Sequence, residues 1–198
     1  MSLSENMLRD RLRVATSKDH AALDAIASAL DFDTAFGYGG FLWASAAALI
    51  PLEQALERAG VDGWLEDWPL RSRRAALALD LAALDVSPPV SKPEPTPSRA
   101  FGVGLLYVLE GSRLGARVLA RRVRGAGPDL PIAYLTHGDD GDAWRSFLTW
   151  LEAQPKVGLR TDEAIAGARY GFQCFSTAFE IVVSPGVLNV RAGAHARI

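Results

Sequence analysis

Apolar residues recur along this chain at steps of three and four with charges between them, the spacing of amphipathic helices and not of strands. Over residues 6–30 the positions Leu8, Leu12, Leu23, Ile26 and Leu30 follow that period and predict one helix. A second is expected in "DFDTAFGYGGFLWASAAALIPLEQALERAG", with Thr34 as N-cap, Pro51 as a kink and Gly60 as the stop. Residues 63–84 read as a third, centred on "RSRRAALALDLAAL". The prolines of "VSPPVSKPEPTPSR" forbid a regular helix and predict a stiff, extended connection. Further helices are expected over 99–124, 140–153 and 161–182, the last opening at "TDEA", where Thr161 can cap. No run alternates with period two over strand length. The expectation is an all-α chain, one helical domain over 1–183 and an irregular tail over 184–198.

A length of 198 residues suits one domain with a real core, and 49% hydrophobic with 22% charged residues is ordinary for a soluble globular protein. A net charge of −2 argues against nucleic acid as a bulk partner, while local basic clusters leave room for a small anionic ligand. The single cysteine, Cys174, excludes a disulfide framework and a Cys-based zinc site and favours a reducing compartment. The charged start "MSLSENMLRDRLRVATSKDH" lacks the apolar segment of a secretory signal. The apolar stretches "FLWASAAALIPL" and "FGVGLLYVL" read as too short to span a bilayer. A cytoplasmic protein with no membrane partner is expected.

Two segments could carry chemistry. His137 sits in a Gly/Asp-rich turn and His195 in the tail, and both read as surface residues. His20 is in a helix and shares a face with Leu12, Thr16 and Leu23 by three- and four-residue steps. Such a histidine is either packed and hydrogen-bonded or a ligand. Arg13 lies seven residues earlier, two turns up and roughly 10 Å away, so the pair could grip a planar molecule at one point and at its edge. The second segment is "LLYVLEGSRLGARVLARR", residues 105–122. Its Gly111 and Gly115 each cost a helix about 1 kcal/mol relative to alanine. They are four apart, as are Ser112 and Ala116, so two adjacent stripes lack bulk. A close helix crossing needs such small residues, and so does a flat ligand lying against bare backbone; the residues alone leave both open. Arg71, Arg73 and Arg74, with Arg117, Arg121, Arg122 and Arg124, make two basic clusters that read as solvated faces or docking surfaces. The tryptophans at 43, 64, 68, 144 and 150 read as core. "GYGG" and "GVG" do not sit in a strand–turn–helix unit, and the absence of E-x-x-H removes a di-iron bundle.

"LRVATSKDHAALD" (12–24) followed by "LLYVLEGSRLGARVLA" (105–120) resembles the bacterial haem oxygenase family, in its bacteriophytochrome-associated, biliverdin-producing branch. "YLTHGDDGDAWRSFLTWLE" (134–152) resembles that branch's turn before a Trp-Arg-x-Phe helix, and the likeness runs from about residue 8 to 182. The resemblance implies a helical bundle with haem between a proximal N-terminal helix and a glycine-containing distal helix. It implies His20 as the ligand of the haem iron, Arg13 near the propionates and Thr16 within the haem site. Gly111, Ser112 and Gly115 become the catalytic positions over the oxygen-binding face, with Ala116 beside them and Arg169 and Phe172 at the haem edge. The activity implied is oxidative cleavage of haem, both substrate and cofactor, to biliverdin, carbon monoxide and ferrous iron. It uses O2 and electrons from an external ferredoxin or flavoprotein reductase, with a phytochrome as a product acceptor. Ala116 stands where the branch has a second glycine. Ser112 stands where animal-type enzymes carry an aspartate; a serine can bond water but supplies no carboxylate charge. Glu110 points about 100° around the helix from Gly111. The alternatives are a non-catalytic haem-binding or haem-storage protein of the same fold, and a domain for another flat molecule or a partner.

Overall fold

Helix α9 (Thr161–Val183) is the axis of the fold, with α1 (Leu8–Ala15), α2 (Ser17–Ala27), α3 (Ala35–Arg58) and α6 (Arg99–Ala126) all packed against it. The structure is a computed structural model and describes residues 7–126, 130–138, 142–154 and 160–184; the tail expected over 184–198 lies, beyond Ser184, outside the described residues. Among the described residues there are helices and turns and no strand, as the periodicity predicts.

The helix α6 crosses α9 at very short range, and two glycines are the reason. A Cβ on Gly104 would stand 1.9 Å from the Ala164 carbonyl oxygen, and one on Gly167 would stand 2.0 Å from that of Phe101. No larger side chain fits either position. Around this crossing Leu42, Leu49, Leu52 and Leu56 of α3 and Leu105 and Leu106 of α6 are sealed from solvent, each burial stabilising by about 1.5–3 kcal/mol. By length and composition α3 could cross a membrane, contrary to the shorter apolar stretch expected there; 72% of its most apolar window is buried, so its apolarity is that of a core helix. Thr34 caps it by accepting from the Gly37 N–H at 3.1 Å, Pro51 sits within an uninterrupted helix, and Gly60 follows it in the left-handed conformation (φ 78°).

Several boundaries differ from the sequence pattern. The single helix expected over 6–30 is two, broken at Thr16 (φ −109°, ψ 6°), whose hydroxyl donates to the Leu12 carbonyl at 2.8 Å. This local bond competes with the helix ladder and bends the chain. Leu12 and Thr16 are therefore buried while His20 faces solvent, and the face they were expected to share is divided. The helix expected over 63–84 is a 3-10 turn (Val61–Gly63), α4 (Trp68–Arg71) and α5 (Arg74–Ala83); Pro69 is accommodated because it falls in the first turn of a new helix. Thr161 does not cap α9, which starts at that residue with Arg160 before it. The short α7 (Ala133–Thr136) has no period to betray it and is held by Asp80 of α5, whose carboxylate accepts from the Ala133 and Tyr134 N–H groups at 3.0 and 2.8 Å. Helix α8 (Ala143–Glu152) completes the set.

Candidate functional site

Helices α2 and α6 both lie on α9 but share no substantial contact with each other, which leaves α9 as the back of a slot between them. On the α6 side, a Cβ built on Gly115 meets nothing within 4 Å, and one on Gly111 meets only the Trp144 ring at 3.8 Å. The close-crossing reading therefore fails at these two glycines and holds instead at Gly104. The Gly115 backbone fronts open space, and that of Gly111 faces the Trp144 ring across an ordinary contact. Ser112 and Ala116 turn the other way, Ala116 being buried and Ser112 half-buried against the inner cluster described below.

On the α2 side stands His20, 64% exposed, with Nδ1 2.9 Å from a carboxylate oxygen of Asp24 one turn on. When Nδ1–H donates to that carboxylate, Nε2 carries the lone pair and is free to ligate a metal. The buried Phe172 of α9 braces the imidazole, ring centroids 5.7 Å apart. Asp24 was not singled out from the sequence, although its four-residue spacing from His20 is the available signal. Arg169 donates to the Ala15 carbonyl at 3.3 and 3.2 Å, tying α9 to the break between α1 and α2. Thr16 is buried there with its hydroxyl on Leu12. Arg13 is exposed and pairs with Asp10 at 3.6 Å. It also lies within electrostatic reach of Tyr107, one turn before Gly111: burial raises the Tyr107 phenol while Arg9 and Arg13 pull it back down. Arg9, Arg13 and Asp10 all lie within electrostatic reach of Tyr107, which brings the end of α1 near this part of α6.

Behind α6 the structure corrects the reading of the first basic cluster. Arg71 and Arg73 are buried, 4% and 2% exposed, and so is Arg113, because their partners come from distant segments. Arg71 holds both oxygens of Asp67 at 2.7 Å, Glu110 at 2.6 Å and Ser146 at 2.8 Å. Arg113 donates twice to Glu110 at 3.0 Å and once to the His137 carbonyl at 2.9 Å. Such shared, charge-assisted bonds make burial of the ions tolerable. Glu53, also buried, accepts from the Ser72 hydroxyl and the Arg73 N–H; burial raises its carboxyl while those two bonds lower it. The Arg73 guanidinium lies 5.1 Å from the Tyr134 ring centroid and donates to Ser112 Oγ at 2.8 Å, and Ser112 in turn donates to the Leu109 carbonyl at 2.8 Å. The one proton of Ser112 is thereby committed, leaving an acceptor lone pair. His137 is half-buried, not the surface residue expected, and among the described residues its enclosed Nδ1 has no hydrogen-bond partner. His195 lies outside the described residues. The second basic cluster is nearer the surface: Arg122 pairs with Asp33 at 3.2 Å, and Arg121 and Arg124 are exposed.

No family model matches the chain. A haem oxygenase of Xanthomonas campestris pv. campestris is 38% identical over 121 residues, covering 60% of this chain and 73% of that protein. Among solved structures, the NO- and CO-bound haem oxygenase of Neisseria meningitidis has the same fold, with a TM-score of 0.79 at 24% identity over 90% of this chain and 92% of that one. The haem oxygenase of Leptospira interrogans is similar at a TM-score of 0.66 and 19% identity, over 87% and 98% of the two chains.

Proposed function

The chain belongs to the haem oxygenase family, and on that premise we propose that haem lies flat in the slot between α2 and α6 with its iron on His20 Nε2. The protein is an oxidoreductase that cleaves haem to biliverdin, carbon monoxide and ferrous iron with O2 and external electrons. The observation that carries the proposed placement is Gly115: a helix keeps a residue that costs it about 1 kcal/mol where no protein atom needs the space. Opposite it, an exposed imidazole with Nδ1 engaged presents a free ring nitrogen. Both sides fit a flat, metal-centred ligand.

Bound haem supplies the redox-active iron and the porphyrin edge that is oxidised. The chain supplies placement. Asp24 fixes the His20 tautomer, and Phe172 holds the ring in orientation. Arg13, Arg9 and Tyr107 are donors for the propionate carboxylates. Arg169 and Thr16 shape the proximal side by fixing the α1–α2 break that turns His20 outward. The bare backbone at Gly111 and Gly115 admits the substrate edge and O2 against α6. Ser112, on the inner side of α6, accepts from Arg73 and donates to the Leu109 carbonyl, so it would hold the helix in place behind the Gly111–Gly115 face. Ala116 adds its methyl on the inner side of α6, away from the open Gly115 face. Electrons come from a ferredoxin or flavoprotein reductase, and membership of the bacteriophytochrome-associated branch would make a phytochrome the cytoplasmic acceptor of the product.

Titration with haem followed by a single reductive turnover in O2 tests this directly. A Soret band that then gives way to a green, far-red-absorbing product with release of carbon monoxide is expected. Persistent oxy- or ferric haem would instead indicate the haem-storage alternative, and no Soret band would remove haem from the slot.

A further inference from the structure

Trp144 of α8 packs against the core yet stays half-buried, and it stands at the edge of the slot. The outer edge of its ring, Cζ3 and Cη2, lies 3.8 Å from where a Cβ on Gly111 would stand, whereas one turn on Gly115 meets nothing within 4 Å. Tyr107, one turn before Gly111, faces the same indole with ring centroids 6.2 Å apart. The open backbone of α6 is therefore bounded at this end by two aromatic rings. The indole is also fixed from behind. Its ring stacks on Phe147, which is sealed from solvent, with centroids 5.7 Å and planes 27° apart. The buried Arg71 guanidinium donates to the Ala143 carbonyl at 3.0 Å and to Ser146 Oγ at 2.8 Å, gripping the first turn of α8 on both sides of Trp144. Trp150 Nε1 donates to the Trp64 carbonyl at 2.6 Å and anchors the far end of the helix. A side chain whose backbone and ring are both locked in this way is a wall and not a flap.

Resting on the reading that haem lies against α6, we propose that Trp144 sets how haem is seated in its own plane, and so which meso edge meets the Gly115 backbone. Ligation by His20 fixes the iron but leaves rotation about the iron–histidine axis free. Glycines at 111 and 115 give α6 no side chain there to stop a flat ring system turning or sliding. Propionate arms are flexible, so donors at that edge tether it without fixing its angle. A rigid indole standing off the axis at the Gly111 end supplies the missing stop. Aromatic surface meeting porphyrin gives a large contact at low cost in side-chain entropy. Because the substituents around haem differ, each angle presents a different meso bridge, and the residue that selects the angle selects the product isomer.

Proton NMR of the cyanide complex of the ferric haem protein reads seating apart from turnover, because the haem methyl shifts follow the angle between haem and the ligand imidazole. Wild type should give one dominant methyl pattern and one dominant biliverdin isomer. Trp144→Ala should raise a second pattern about tenfold, with a second isomer rising in step after turnover. Trp144→Phe, which keeps a ring against Phe147, should melt close to wild type and shift both readouts in the same direction by less. Both variants should keep the histidine-ligated absorption spectrum, which separates lost seating from lost ligation. An unchanged methyl pattern and isomer in the two variants overturn the assignment of Trp144 and leave haem in the slot. Failure of wild type to bind haem overturns both.

Discussion

At the scale of single residues, two glycines four positions apart and two glycines that seal a helix crossing look alike in sequence but do opposite work. Gly104 has carbonyl oxygen where a Cβ would go; Gly115 has nothing within 4 Å. Gly115→Leu should therefore stabilise the haem-free chain by about 0.5–1 kcal/mol through helix propensity, while cutting haem affinity at least tenfold by filling the slot. Urea unfolding and haem titration on the same variant read both, and unchanged haem binding would place the ligand elsewhere. Asp24→Ala removes the partner of His20 Nδ1. Loss of such a partner typically costs 10–100-fold in metal affinity, so haem binding should weaken by that order, and the iron–histidine stretch in the resonance Raman spectrum should fall. An unmoved stretch would mean that Asp24 does not act on the ligand.

Between elements, the α6–α9 crossing fixes the back of the slot, so its geometry is a precondition for the site. Gly104→Ala forces the helices apart at a contact of 1.9 Å and should cost about 3 kcal/mol in unfolding free energy, measurable by denaturant titration; a neutral result would show the crossing to be loose. The long helices were legible because each carries several turns of apolar period, and the two candidate half-sites could be marked out because His20 and Gly111–Gly115 are local patterns. What escaped the sequence is what depends on distant partners. The break at Thr16 comes from a hydroxyl choosing the Leu12 carbonyl. Helix α7 exists because Asp80, 53 residues away, accepts its first N–H groups. The burial of Arg71 and Arg73 follows from Glu110 and Leu109, more than 30 positions on, so a run of arginines that reads as a solvated face lies inside.

Over the whole molecule, that buried ionic layer gives stability a pH signature. Burial outweighs the hydrogen bonds to Glu53 and raises its carboxyl above the ordinary 4.5. The folded chain then holds this proton where the unfolded chain has lost it, so the contribution is complete below pH 4.5 and is lost as pH rises through the raised value. Wild type should lose stability relative to Glu53→Gln over that rise, followed as the difference in urea midpoints; a constant difference would show that Glu53 titrates normally. The same layer backs α6, one side of the slot proposed between α2 and α6. The most direct measurement is the absorption spectrum of haem bound to His20→Ala, before and after adding free imidazole. Wild type should give a one-to-one histidine-ligated spectrum, which the variant should lose and imidazole should restore. A variant spectrum identical to wild type without imidazole would contradict ligation by His20.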